Sequence, residues 1–129
     1  MWDRTLGYCS LIQKAADNTG LDPALLAALV FVESGGDQDA ISNQGAVGLM
    51  QIMPNEATDF QCPNGPCFED RPSTEELLDP SFNIEYGSNH LLGLVNEFGL
   101  RDGLFYYGPV GVGYEGYADI VLGYASMVK

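Results

Sequence analysis

The chain has 129 residues, 46% of them hydrophobic, and a formal net charge of −13 from 18 acidic and 5 basic side chains. Such a length suits one compact core, and no apolar run reaches the ~18 residues of a membrane span. So acidic a balance argues against nucleic acid or an anionic membrane surface as partner, since both call for a basic face, and is compatible with a neutral substrate or with solubility alone. Met1-Trp2-Asp3-Arg4 lacks the basic-then-apolar pattern of a signal peptide. Export by another route, or cleavage from a longer precursor, is therefore expected.

Thr5 to Ala16 reads as a first amphipathic helix, ended by Asn18-Thr19-Gly20. Cys9 lies among apolar residues and is expected to be a buried free thiol. Asp22 is placed as an N-cap with Pro23 at the first helical position. That second helix runs to about Glu33, is stopped by Gly35-Gly36, and is apolar all round, which predicts burial at the centre of the domain. Residues 37 to 53 read as a loop with a short hairpin, and Pro54 opens a short helix.

Cys62 and Cys67 bracket the turn-rich Pro63-Asn64-Gly65-Pro66, a spacing open either to a short-loop disulfide or to two free thiols. Zinc is disfavoured, because Cys9 and His90 do not form a matching second pair. Ser73 with Glu76 forms a capping box, and Asp79-Pro80 repeats the cap-plus-proline signal. The helix that follows carries Phe82, Tyr86, Leu91, Leu94, Val95 and Phe98 and ends at Gly99. His90 on it reads as a surface or packing residue. Arg101 to Tyr107 is a short helix broken by Gly108-Pro109, and Tyr114 to Met127 is the last. Without repeat, low-complexity tract or linker, the chain reads as one mostly helical domain, residues 1–129.

Glu33 is the odd residue of its helix. The negative end of the helix dipole disfavours its charge, and so does burial. Both raise its pKa toward what a general acid needs; the alternative is a glutamate that simply reaches water at a helix end. Residues 45 to 54 read Gly-Ala-Val-Gly-Leu-Met-Gln-Ile-Met-Pro. The two glycines suggest tight turns or close approach to a ligand. Gln51, in an apolar run, needs partners for a buried amide; a substrate could provide them, or the segment is a packed core turn.

Glu33-Ser34-Gly35-Gly36, then Ser42, then Gly45 through Pro54 resemble the catalytic domain of the soluble lytic transglycosylases, in both type and spacing. Asn83-Ile84 with Gly87 and Leu91-Leu92, then Leu104-Phe105-Tyr106-Tyr107, then Tyr117-Ala118 with Val121, are similar to later motifs of that family in the same order. The resemblance spans about residues 20 to 128. It implies a goose-type lysozyme-like helical domain with a short irregular or hairpin segment after the catalytic helix. It also implies cleavage of the β-1,4 bond between N-acetylmuramic acid and N-acetylglucosamine in peptidoglycan strands, outside the cytoplasm and without cofactor; no metal is expected, and a monomer is the default.

By that resemblance Glu33 protonates the leaving oxygen and then acts as base on the muramoyl 6-hydroxyl, closing a 1,6-anhydro ring. Ser42, Gln51 and Met53 would line the cleft, with Tyr107 and Tyr117 near Glu33. One departure is Tyr107-Gly108-Pro109-Val110 where the family has Tyr-Asn-Ala-Gly, so substrate is positioned differently there.

Two other readings compete. An inverting muramidase needs a second carboxylate roughly 6.5–9.5 Å from the first; Asp37 and Asp39 are the candidates, and Ser42 to Met53 contains none. A glycan-binding module without activity would not need Glu33. Asp37, Asp39 and Asn43 are oxygen ligands in one loop, but their spacing does not fit an EF-hand.

Overall fold

A computed structural model describes residues 3–43, 45–55, 71–107 and 116–128. In chain order the described elements are α1 (Asp3–Leu6), α2 (Cys9–Thr19), α3 (Pro23–Ser34), α4 (Thr74–Leu77), α5 (Pro80–Phe98), α6 (Leu100–Tyr107) and α7 (Gly116–Ala125). The fold is mostly α, with no strand among the described residues. Isolated antiparallel bridges join Ile41 to Val47 and Val47 to Ile52 in the loop after α3.

Three helices start where the sequence places them, for local reasons. Asp22 accepts from the Ala24 N–H at 2.8 Å and Pro23 follows it into α3. Ser73 and Glu76 close a reciprocal capping box on α4. Asp79 accepts from the N–H groups of Ser81 and Phe82 ahead of α5. Each satisfies backbone donors that have no partner inside the helix.

The expected first helix, Thr5 to Ala16, is instead two helices. Tyr8 leaves helical geometry at φ −106°, ψ 18°, beside Gly7, which has low helix propensity. Its hydroxyl donates to Gln38 Oε1 at 2.8 Å. The second piece runs on to Thr19, past the expected end, and Gly20 caps it at φ +79°. Cys9 is exposed rather than buried: it is the first residue of α2, and that helix's buried positions begin at Ile12. The helix expected from Pro54, the Cys62–Cys67 pair and the Gly108-Pro109 break lie outside the described residues.

The core sits around α3, whose residues from Leu25 to Val30 are all buried. Burial on every side removes any amphipathic stripe, as the all-apolar sequence requires. α2 and α7 pack on α3, and α5 packs against α2 and α6. Between α3 and α5 lies the loop 45–53, with Val47, Leu49, Met50, Ile52 and Met53 buried. This arrangement puts the end of α3 against the loop.

Candidate active site

Glu33 sits in the last turn of α3, one residue before Ser34 ends the helix. Gly35 terminates it in the left-handed region at φ +63°, with its N–H on Phe31 O. Gly36 follows at φ +83°, and a Cβ there would lie 2.5 Å from the Thr5 backbone nitrogen. A side chain at Gly36 would therefore push α1 away, so this turn requires glycine. The Ser34 hydroxyl reaches Val30 O at 3.0 Å and Leu49 O at 2.8 Å and accepts from Gly36 N–H. One side chain thus ties the helix end, the glycine turn and the loop together.

The loop is fastened from its other side by Asn83 of α5, which is fully buried. Its carbonyl oxygen accepts from Met50 N–H at 2.8 Å, and its amide donates to Val47 O and Leu77 O at 2.8 and 2.9 Å. Gly48 (φ +79°) leaves room for it: a Cβ there would come within 2.2 Å of the Asn83 amide nitrogen. Gly87, next on α5, accepts Met50 against its bare backbone.

Burial pushes the Glu33 carboxyl up from 4.5 to about 7, against a smaller lowering by the Tyr117 hydroxyl. That hydroxyl, from α7, donates to Glu33 Oε1 at 2.5 Å. Burial, then the charge of Glu33 and the shared hydrogen bond, raise the Tyr117 phenol far above its usual range. The tyrosine is thus a fixed donor, and the glutamate is poised between its two protonation states near neutral pH.

Of the residues the sequence singles out, Tyr117 therefore touches Glu33 directly. Tyr107 is buried at the end of α6, its hydroxyl donating to Met50 O at 2.7 Å. Burial and the neighbouring Glu33 charge raise its phenol well above the ordinary value. Gln51 has φ +52°, left-handed backbone in a non-glycine residue. Its amide nitrogen donates to Ala40 O at 3.1 Å and Gly48 O at 2.9 Å, so backbone carbonyls provide partners for the amide. Ser42 is exposed, and its hydroxyl oxygen accepts from Ala46 N–H at 3.0 Å. Met53 is buried, and its carbonyl accepts from Arg71 Nη1.

Sequence reasoning passed over two residues as mere motif members: Ser34 and Asn83, which build the site without being its chemistry. An asparagine on the core-facing side of a helix, beside Ile84, Gly87 and Leu91, was the available signal for Asn83, because a buried amide must find partners. Asp37 accepts from Asp39 N–H at 3.0 Å and so serves its own turn, while Asp39 is exposed. Among the described residues no three His, Cys, Asp or Glu side chains converge as a metal site would require.

The family description "Transglycosylase SLT domain" matches residues 10–108. An endo-type membrane-bound lytic murein transglycosylase A of Klebsiella pneumoniae is 36% identical over 94 residues, covering 72% of this chain and 45% of its own. The chain thus spans less than half the length of the curated relatives it matches. In fold it is similar to an inactive mutant of the lytic transglycosylase Slt from Pseudomonas aeruginosa, with a TM-score of 0.70, 23% identity, and coverage of 92% of this chain and 23% of that one. The 70 kDa soluble lytic transglycosylase of Escherichia coli superposes with a TM-score of 0.63 at 28% identity, over 92% of this chain and 19% of that one.

Proposed function

The chain belongs to the transglycosylase SLT domain family, and from that membership we propose that it cleaves peptidoglycan glycan strands as a lytic transglycosylase, with Glu33 as acid and then base. The observation that carries the reading is a half-buried glutamate at a helix end, held near pKa 7 and gripped by one tyrosine hydroxyl. Protonated Glu33 gives its proton to the glycosidic oxygen as the bond from muramoyl C1 breaks. The carboxylate so formed takes the proton of the muramoyl 6-hydroxyl, whose oxygen bonds to C1. Atoms balance without water, cofactor or metal.

Tyr117 orients the carboxyl and stabilises its charged form between the two steps. Tyr107 and Asn83 hold the loop at Met50, and Ser42, Gln51 and Met53 belong to the loop that lines the sugar cleft. An inverting muramidase would need a second carboxylate placed to activate water, whereas Asp37 accepts from the Asp39 N–H in its own turn and Asp39 is exposed. The described elements share one core, which supports reading them as one catalytic domain; the wall strands on which it is proposed to act lie outside the cytoplasm, and a monomer is the form expected. No helix of the described residues is long and apolar enough to cross a membrane.

The test is product analysis. Purified peptidoglycan treated with the wild-type chain is expected to yield 1,6-anhydromuramoyl ends by mass spectrometry, and none with Glu33→Gln. Reducing ends heavier by one water would make the enzyme a hydrolase. Loss of all products in both proteins, on several wall types, would leave a binding module.

A further inference from the structure

One side of α5 carries three aromatic rings at helical spacing. Phe82 and Tyr86 lie with centroids 6.4 Å apart and planes 8° from parallel, and Tyr86 and His90 lie 6.5 Å apart at 16°. His90 then meets the Tyr107 ring at 5.6 Å, and Tyr107 hydrogen-bonds the loop at Met50 and feels the Glu33 charge. The row is therefore continuous with the candidate active site. All three rings on α5 are half-buried, and together with Glu85 and Asn89 they line an open cavity of about 360 Å³.

A folding role accounts for only part of this row, since all three rings pack on the core yet keep part of their surface open. The core side of α5 is Asn83, Ile84, Gly87, Ser88 and Leu91, and Phe82 and Tyr86 only flank that core. Near-parallel rings offer apolar faces in one common orientation. The carboxylate of Glu85 and the amide of Asn89 beside them accept and donate hydrogen bonds. Apolar faces with a polar rim match pyranose sugars, whose C–H faces are apolar and whose edges carry hydroxyl and acetamido groups.

We propose that Phe82, Tyr86 and His90 form an extended binding platform for the glycan strand, holding sugars beyond those at Glu33. The proposal rests on the glycan-cleaving reading and adds to it a site for strand length. Short strands use only the sugars around Glu33, and longer ones also cover α5. The platform thus raises affinity for long strands without taking part in bond cleavage.

The experiment uses the full chain carrying Glu33→Gln and β-1,4-linked N-acetylglucosamine oligomers of increasing length as probes, by titration calorimetry. Affinity is expected to rise with length beyond the oligomer that fills the site at Glu33. Tyr86→Ala should remove that rise, weakening the longest oligomer roughly tenfold, the effect of one lost aromatic contact, while leaving the shortest binder unchanged. Tyr86→Phe, which keeps the ring, should restore it. With Glu33 intact, Tyr86→Ala should raise KM on long strands and spare kcat. Equal thermal midpoints for the three proteins establish that the fold is intact, and Phe82→Ala gives the same readout if Tyr86→Ala does not fold. Unchanged length dependence in an enzyme that still cleaves strands overturns the platform alone. A wild-type chain that neither binds nor cleaves any glycan overturns the platform together with the function on which it rests.

Discussion

At Glu33 two opposing effects meet. Burial raises the carboxyl and the Tyr117 hydrogen bond lowers it, and burial wins, leaving the group at about 7. Between pH 4.5 and 7 the unfolded chain releases this proton while the folded chain keeps it, so stability falls as pH rises through that window. Once ionised the carboxyl costs up to about 3 kcal/mol of folding free energy. Glu33→Gln preserves shape and the acceptor for Tyr117 without the charge. It is expected to match the wild type near pH 4 and to unfold at a higher temperature by pH 8. Thermal midpoints measured across that range would decide it, and parallel curves would show the carboxyl to be freely solvated. Tyr117→Phe acts in the opposite direction on titration. Removing the bond that favours the charged form lifts the carboxyl further, so the alkaline fall of kcat/KM should move to higher pH as kcat drops. An unmoved limb would mean that another group sets it. Glu33 was legible from the sequence because it is a charge at the end of an apolar helix. Its nearness to Tyr117, 84 positions away, followed only from the family resemblance, since periodicity says nothing about contacts between elements.

The elements themselves were largely legible, because their ends are written in local chemistry. Asp22, Ser73 with Glu76, and Asp79 cap in the structure as their types and spacing predict. The break between α1 and α2 was hidden, since its cause is tertiary: Tyr8 reaches Gln38 and Thr5 packs under Gly36. Hidden too was the joint between α5 and the loop, where a single asparagine satisfies one donor and one acceptor of the loop and one acceptor of α4. Asn83→Ala would strand Met50 N–H and the Leu77 carbonyl in the interior and leave the Val47 carbonyl with only the Ile52 N–H. A loss of about 3 kcal/mol is expected, with a fall in activity as the loop leaves Tyr107 and Ser34. Asn89→Ala on the same helix removes an exposed bond to Glu85 O and should change stability by less than about 0.5 kcal/mol. Chemical denaturation of both variants makes the comparison, and equal losses would deny Asn83 its place as the joint.

For the molecule as a whole, the core could be foreseen from α3 alone, a helix apolar on every side that needs partners all around it. Which partners it takes, α2, α7 and the loop, follows from packing that no local pattern encodes. Charge is the other property of this scale. At −13 the chain repels any polymer of its own sign, and glycan strands that still carry stem peptides bear carboxylates. Such repulsion slows encounter over a Debye length, about 30 Å at 0.01 M salt and about 8 Å at 0.15 M. Raising salt across that range should therefore increase kcat/KM on peptide-bearing strands. Uncharged N-acetylglucosamine oligomers lack the repulsion, so their binding to the Glu33→Gln chain should hardly respond. A basic protein on the same substrate would show the reverse, because salt would screen an attraction. If both ligands respond alike, salt is acting on the fold or the Glu33 carboxyl, and the pH series on Glu33→Gln separates those two by showing whether the midpoint or the titration has moved.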